Sequence, residues 1–510
     1  VLVKLADWPD WTHPWQTKRG RFSEHRTGSW SHRVAEAYDL TYDLMTPDER
    51  TKIRTAIMER IVGGAHRTYV YNDNITAATS NWLAMVVGGS LMNMTAMYDD
   101  GPETENLEPY FTGAMMKFYK FINRVTDSED GAWGEGFGYA NYSFSNMSYS
   151  VPSLKNVFNI DVTDPLSGVY NEFIWAGIFK ERRWFEFGDS RGNIGNPQNW
   201  LYLLDIREEP RLSWYYNYLK NSESYESVLF ETEDIPQESA FEENPVKRFR
   251  NVGTTVFKSG WEPDDLIFTL RTGPFYNHQH HEQGSFWYAD RGEIFILGSR
   301  PMSQSTYYDD PLYQPWFTQA VGASTILIDG NHQSQRIGDD RKYAPGFNDH
   351  AFIDHFLDGE DTAFSTGDIG RLYWDKVESL QRNVLYLKPG IILMLDTAVS
   401  GKADRDVTLL YQTERLEDIT AGQDVSTISR GDATLNILHL APDFIEAKAV
   451  NHPHYLHTLQ RERPLERSGM LTVTARTDRT EGYPLVIANL FSTTGGEAPD
   501  VQTETGNGYV

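Results

Sequence analysis

The stretch Asn221-Ser222-Glu223-Ser224-Tyr225-Glu226-Ser227, followed by Glu231-Thr232-Glu233-Asp234-Ile235-Pro236, divides the chain, because apolar residues recur with a different period on its two sides. A polar, acidic run of this kind reads as a linker or surface crossing, extending to about Arg250. Before it, Leu107, Tyr110, Phe111, Ala114, Met115, Phe118 and Ile122 form one stripe at steps of three and four, as on an amphipathic helix. Thr46-Pro47-Asp48-Glu49 is a capping box, with Thr46 as N-cap, Pro47 at the first helical position and Glu49 reaching back. Gly63-Gly64 is expected to end that helix. Gly28-Ser29-Trp30-Ser31 reads as a turn ahead of helically spaced Val34, Tyr38, Thr41 and Met45.

Beyond the divide the segments are short and rich in β-branched and aromatic residues: Thr254 to Lys258, Leu266 to Leu270, Ser285 to Ala289, Glu293 to Leu297, Ser324 to Ile328, Val407 to Gln412, Met470 to Ala475 and Leu485 to Leu490. Val384 to Leu387 and Ile391 to Leu395 flank Lys388-Pro389-Gly390, a hairpin turn. These patterns predict a helical domain over 1–235 and an antiparallel β-sandwich over 236–510. The helical part shows no strict self-similarity, which disfavours a short-motif solenoid and leaves a toroid of divergent helical hairpins open.

At 510 residues the chain exceeds one ordinary core. Hydrophobic residues make up 40% and charged residues 23%, a globular composition, and no apolar run reaches membrane-spanning length. The formal charge of −26 repels nucleic acid and anionic membranes, so a basic site has to be local. The absence of cysteine excludes disulfides and zinc-thiolate sites. The 14 Trp and 28 Tyr supply flat faces suited to a carbohydrate groove, although most aromatics in most proteins pack in cores. The chain opens on Val1-Leu2-Val3-Lys4 without an initiator Met, and a periplasmic or secreted location is the expectation.

The most site-like stretch is Tyr276-Asn277-His278-Gln279-His280-His281-Glu282-Gln283-Gly284-Ser285-Phe286. Read as a strand start, it places His278, His280 and Glu282 on one face. Paired imidazoles suit proton transfer or metal binding, while histidines in such places are often only satisfied by backbone carbonyls. A second polar cluster lies in the helical half. Thr79-Ser80-Asn81-Trp82 opens a helix, and in Asp130-Gly131-Ala132-Trp133-Gly134-Glu135-Gly136-Phe137-Gly138-Tyr139-Ala140-Asn141-Tyr142-Ser143 four glycines surround Trp133, Glu135, Tyr139 and Tyr142. Glycine at that density permits close approach of a ligand. The commoner roles are a helix cap for Asn81, a core position for Trp82 and a packed ring for Tyr139.

With Phe187-Gly188-Asp189-Ser190 and Gly28-Ser29-Trp30-Ser31-His32, these motifs resemble, in their order, the heparinase II/III-like polysaccharide lyases and the related dermatan sulfate epimerases and oligo-alginate lyases. The resemblance implies an incomplete (α/α) toroid followed by an antiparallel β-sandwich, with an anionic polysaccharide or oligosaccharide as partner. It implies cleavage by β-elimination beside a uronic acid, with the uronate carboxylate neutralised, the C5 proton removed and the leaving O4 protonated. On this resemblance Tyr139 is the catalytic tyrosine, Asn81 the carboxylate neutraliser and His278 the histidine contributed by the β-domain. Trp82, Trp133, Glu135, Tyr142, His280, Tyr307 and Tyr308 are the candidate substrate contacts. A glycosaminoglycan or a sulfated uronate polymer such as ulvan is the favoured substrate, followed by alginate. A uronyl C5 epimerase and a non-catalytic carbohydrate-binding protein are the further alternatives.

Two departures shape these expectations. Several relatives carry a histidine shortly before the Asn81 position, where this chain has Thr76-Ala77-Ala78-Thr79, so Tyr139 helped by His278 is left as base and epimerisation is disfavoured. Where metal-binding relatives place further ligands, this chain has Ile296-Leu297-Gly298 and Gly322-Ala323-Ser324. A structural divalent metal near His280 is therefore disfavoured, and no cofactor is expected.

Overall fold

The computed structural model describes residues 1–72, 80–126, 130–180, 183–185, 187–190, 197–220, 225–230, 234–276, 278–299, 318–330, 333, 351–452, 468–480 and 483–495. Two compact units emerge, one from Val1–Trp175 with Asn193–Ala240, the other from Ala176–Gly192 with Phe241–Asp339 and Pro345–Val510.

The first unit is helical. Its long elements are His25–Leu40, Pro47–Ile57, Trp82–Ala96, Leu107–Val125 and Phe137–Phe158. The capping box forms as read: Thr46 N donates to Glu49 Oε2 at 2.9 Å and Glu49 N to Thr46 Oγ1 at 3.3 Å. The apolar stripe becomes Leu107–Val125, which buries Leu107, Ala114, Met115, Phe118 and Ile122. Both glycine expectations in this unit need correction. Gly28-Ser29-Trp30-Ser31 lies inside the helix His25–Leu40 rather than in a turn, because Gly28 lets that helix approach Trp82–Ala96; a Cβ there would lie 2.9 Å from Met85 Cβ. Gly63-Gly64 does not stop its helix either. Helical backbone, with wider π turns, continues to Val70, and a Cβ on Gly64 would lie 2.6 Å from the Phe22 carbonyl oxygen. In both places glycine serves close packing, which a one-dimensional pattern does not separate from a break.

The second unit is built from antiparallel strands. Its largest sheet has eight, including the pair Val377–Leu387 and Ile391–Ser400, which meet at Leu387 opposite Ile391 around the expected Lys388-Pro389-Gly390 turn. Along Ile391–Ser400 burial alternates, the mark of a sheet with one face to the core. A five-stranded sheet runs Lys247–Phe249, Thr254–Lys258, Ile267–Arg271, Ser285–Asp290, Glu293–Ile296 in spatial order. Its middle strands Thr254–Lys258 and Ile267–Arg271 are buried at every position. One face joins the apolar cluster with Phe268, Phe286, Tyr411 and Phe491. On the other, Phe179 meets Trp287 at 5.3 Å between ring centroids and Lys258 Nζ donates to the Ile178 carbonyl at 3.0 Å. The segment Ala176–Gly192, which precedes the acidic divide in sequence, thus packs with the strands. Inside the divide, Tyr225–Phe230 is a short helix.

Among the described residues no helix is long and apolar enough to cross a membrane.

Candidate functional site

Each unit carries one cluster of buried polar groups at the residues the sequence singled out. In the helical unit, Asn81 immediately precedes the helix Trp82–Ala96 but makes no side-chain capping bond. It turns to Glu135 instead. The Asn81 backbone N–H donates to Glu135 Oε2 at 3.0 Å and its Nδ2 donates to Oε1 at 3.4 Å, with both residues 2% exposed or less. A carboxylate held by two amides fixes the Asn81 side chain, whose NH₂ group has a second N–H to offer. Glu135 is corrected from substrate contact to support: it is 1% exposed and engaged by Asn81.

Tyr139 and Tyr142 lie three residues apart at the start of Phe137–Phe158 and so share one helical face; Tyr139 is half-buried and Tyr142 is 41% exposed. Trp82 is half-buried against the ring of His25, 4.9 Å between centroids. Trp133 is corrected. At 1% exposure, with Phe121 and Phe144 rings 6.0 and 5.6 Å away, it has no face left for a sugar. The glycine preceding it has the same explanation: Gly131, at φ +72°, abuts the backbone of Gly168, where a Cβ would lie 1.8 Å from a carbonyl carbon.

In the β unit the histidine motif is not yet strand. The ladder begins at Ser285, and His278 sits in a turn at φ +65°, so the expected extended start is corrected. The two histidines converge all the same, on a residue from another part of the chain. His278 Nδ1 lies 3.0 Å from Asp189 Oδ2, and His280 Nε2 lies 2.7 Å from Asp189 Oδ1. The Asp189 side chain is 1% exposed. Burial works to raise its carboxyl, and the charge on His280 together with hydrogen bonds from both imidazoles outweighs that, holding it well below the usual carboxylate range. An ionised Asp189 acceptor favours the tautomer of His278 that carries its proton on Nδ1. Of the pair, the His278 side chain keeps 12% exposure and the His280 side chain 1%. His280 is therefore corrected from substrate contact to a buried partner of Asp189.

The surrounding backbone is tied down at several points. Gly188 N donates to Glu282 Oε2 at 2.9 Å and Asp189 N to the His278 carbonyl at 2.8 Å. Gly188, at φ +61°, cannot carry a side chain, since a Cβ would lie 2.4 Å from that carbonyl oxygen. Gly273 N donates to Gln283 Oε1 at 2.6 Å, and the Gln283 carbonyl accepts from Gln333 Nε2 at 2.6 Å. Arg382, fully buried and paired with Asp396 at 2.7 Å, donates to the Gly284 carbonyl. Arg271 reaches Gln279 from below, and burial brings its guanidinium down to about 10, with Glu282 and Tyr276 working the other way.

The donor set does not fit a metal. His280 Nε2 is directed at Asp189, Leu297 and Ala323 have no ligating atom, and among the described residues no three His, Asp or Glu are grouped to hold an ion. Tyr307, Tyr308 and the stretch Thr76-Ala77-Ala78-Thr79 lie outside the described residues.

Sequence reading missed the role of Asp189. It stood only as a letter in Phe187-Gly188-Asp189-Ser190, and the one signal was Gly188, a glycine directly before an acid in an otherwise aromatic stretch.

No family model matches the chain, and no curated protein sequence matches it. Solved structures do. A heparan sulfate lyase HepC mutant from Pedobacter heparinus aligns over 98% of this chain and 73% of its own, with TM-score 0.66 and 14% identity. A structure of heparinase III aligns over 92% of this chain and 70% of its own, with TM-score 0.68 and 13% identity. The chain thus has a heparinase III-like fold.

Proposed function

We propose that this protein is a polysaccharide lyase. It cleaves a uronic-acid-containing anionic polysaccharide, a glycosaminoglycan or a sulfated uronate polymer such as ulvan, by β-elimination that leaves an unsaturated uronate. The observation that carries the reading is the buried Asp189 carboxylate beneath His278, an arrangement that gives one accessible imidazole a favoured tautomer. The likeness of fold to heparinase III supports it, as do the buried amide of Asn81 and the half-buried phenol of Tyr139.

In this proposal the helical unit is an incomplete (α/α) toroid and the β unit a sandwich. Asn81 offers its remaining N–H to the uronate carboxylate, which acidifies the C5 proton. Tyr139 removes that proton and the phenol returns it to the departing O4, with His278 as the assisting imidazole that the resemblance implies. An unperturbed phenol near pKa 10 is a poor base at neutral pH, so the rate is expected to rise from pH 6 to 8.

The test is incubation with heparan, chondroitin and dermatan sulfates, hyaluronan, ulvan and alginate, read by absorbance of the unsaturated uronate. Turnover on at least one polymer is expected, with Tyr139→Phe losing about 10²–10⁴-fold in kcat while binding persists. Silence on every uronate polymer would end the proposal; C5 isotope exchange without cleavage would replace it with epimerisation.

A further inference from the structure

We propose that the basic and aromatic surface of residues 13–26 binds the anionic groups of the polysaccharide chain and extends the site away from Trp82. The inference rests on the polyanion substrate proposed above and adds a place where it is gripped.

In a chain of net charge −26, residues 13–26 hold Lys18, Arg19, Arg21 and Arg26 against the single acid Glu24. That acid does not face the solvent. Glu24 is 2% exposed, accepts from the Arg26 backbone N–H at 3.1 Å and pairs with His25 at 2.7 Å. Asp10, just before the segment, accepts from the Thr12 backbone. Lys18, Arg19 and Arg26 are exposed. The surface is therefore locally positive on a protein that elsewhere repels polyanions.

The arginines are also stacked. Residues 11–22 take part in four cation–aromatic pairs: Arg19 over Trp15 at 3.6 Å, Arg21 over Trp82 at 5.6 Å, Arg67 over Phe22 at 5.0 Å and Arg60 over Trp11 at 5.5 Å. The ring of Trp15 beneath exposed Arg19, 3.6 Å from its Cζ, supports a guanidinium whose N–H groups suit bidentate bonding to sulfate or carboxylate. Trp8 and Trp15, 59% and 51% exposed, and Phe22, 43% exposed, add flat apolar faces of the kind sugar rings stack on. Arg21 is braced by Gln16 Oε1 at 3.2 Å, and Gln16 is 6% exposed. The strip connects to the site through Trp82, whose ring meets both His25 and Arg21 and whose chain neighbour is Asn81.

The experiment compares full-length variants on whichever of heparan sulfate, chondroitin sulfate or ulvan the unaltered protein binds most tightly. Binding is measured in a Tyr139→Phe background across a salt series, and turnover with Tyr139 intact. Replacing Arg19, Arg21 and Arg26 by Gln is expected to weaken binding at low salt about tenfold or more and to reduce the slope of log affinity against log salt by about 2. KM should rise with kcat within about twofold. The exposed pair Arg19→Gln with Arg26→Gln should give an intermediate loss, guarding against misfolding of the triple variant. A charge-matched control, Arg371→Gln, Arg476→Gln and Arg479→Gln, alters exposed arginines of the β unit and should leave affinity unchanged. Unchanged affinity in the triple variant, or an equal loss in the control, overturns the proposal. A protein that binds through this strip yet never yields unsaturated uronate would refute the lyase reading and leave the binding surface standing.

Discussion

Two buried imidazoles, one in each unit, meet different surroundings: His32 lies among rings and backbone, and His280 lies on a carboxylate. In the helical unit His32 is 1% exposed and packs against the ring of Tyr149, 5.8 Å between centroids. Burial holds it neutral, down to about 4, while the carbonyls of Ser29 and Gly28 work weakly the other way. Of the same unit's buried carboxylates, Glu135 is met by the amides of Asn81 and Glu24 by the ring of His25 and the Arg26 N–H. In the β unit Glu282 is met by the Gly188 N–H, Asp396 by Arg382, and Asp189 by two imidazoles. Burial alone makes a histidine a packing residue; a carboxylate beneath it makes the ring a proton-handling group.

The sharpest way to break this comparison is Asp189→Asn, which keeps the shape and removes the charge. A fall in kcat of about 10²–10⁴-fold is expected, with KM little changed and the pH–rate profile displaced. A purely structural role would lower stability instead and leave the pH profile of the surviving enzyme where it was.

His32 gives the next largest effect. Its folded pKa is depressed, so the unfolded chain takes up a proton below about 6.5 while the native state stays neutral until about 4. The stabilisation it confers is complete above 6.5 and shrinks by on the order of 3 kcal/mol as pH falls to 4. Denaturant titrations at pH 7 and 4.5 should show the loss, and His32→Phe should flatten it. An equal slope in that variant would show that other groups carry it.

The smallest effect falls on Glu135. Glu135→Gln leaves one of the two Asn81 donors facing an amide, costing about 1–3 kcal/mol of stability, with kcat reduced through a displaced Asn81 side chain. An unchanged melting temperature would mean that Asn81 is held by something else.

How much of this was legible beforehand follows the range of each interaction. Some strands were read closely, Thr254–Lys258 without error and Ser285–Asp290 to within one position, because β-branched and aromatic composition is local; Phe352–Asp358, Thr362–Asp368, Val425–Arg430 and Ala433–Ala441 were not read, and Val377–Leu387 was read only from Val384. The capping box and the stripe of Leu107–Val125 were legible for the same reason. The helix through Gly28 and the burial of Trp133 were not, since both depend on what packs opposite: Met85 in one case, Phe121 and Phe144 in the other. Tyr139, Asn81 and His278 were named by resemblance, and the fold likeness leaves their roles to the variants above.

The sequence by itself determined the change from helical to strand periodicity, the acidic balance and the chemistry present at His278, His280 and Asn81, all of which are properties of neighbouring residues or of composition. Only the tertiary structure decided which groups answer them: Asp189 beneath two histidines 89 and 91 residues away, Glu135 beneath Asn81 across 54. Such pairings are set by burial and by the need to satisfy buried polar atoms, conditions that arise only once the chain has packed.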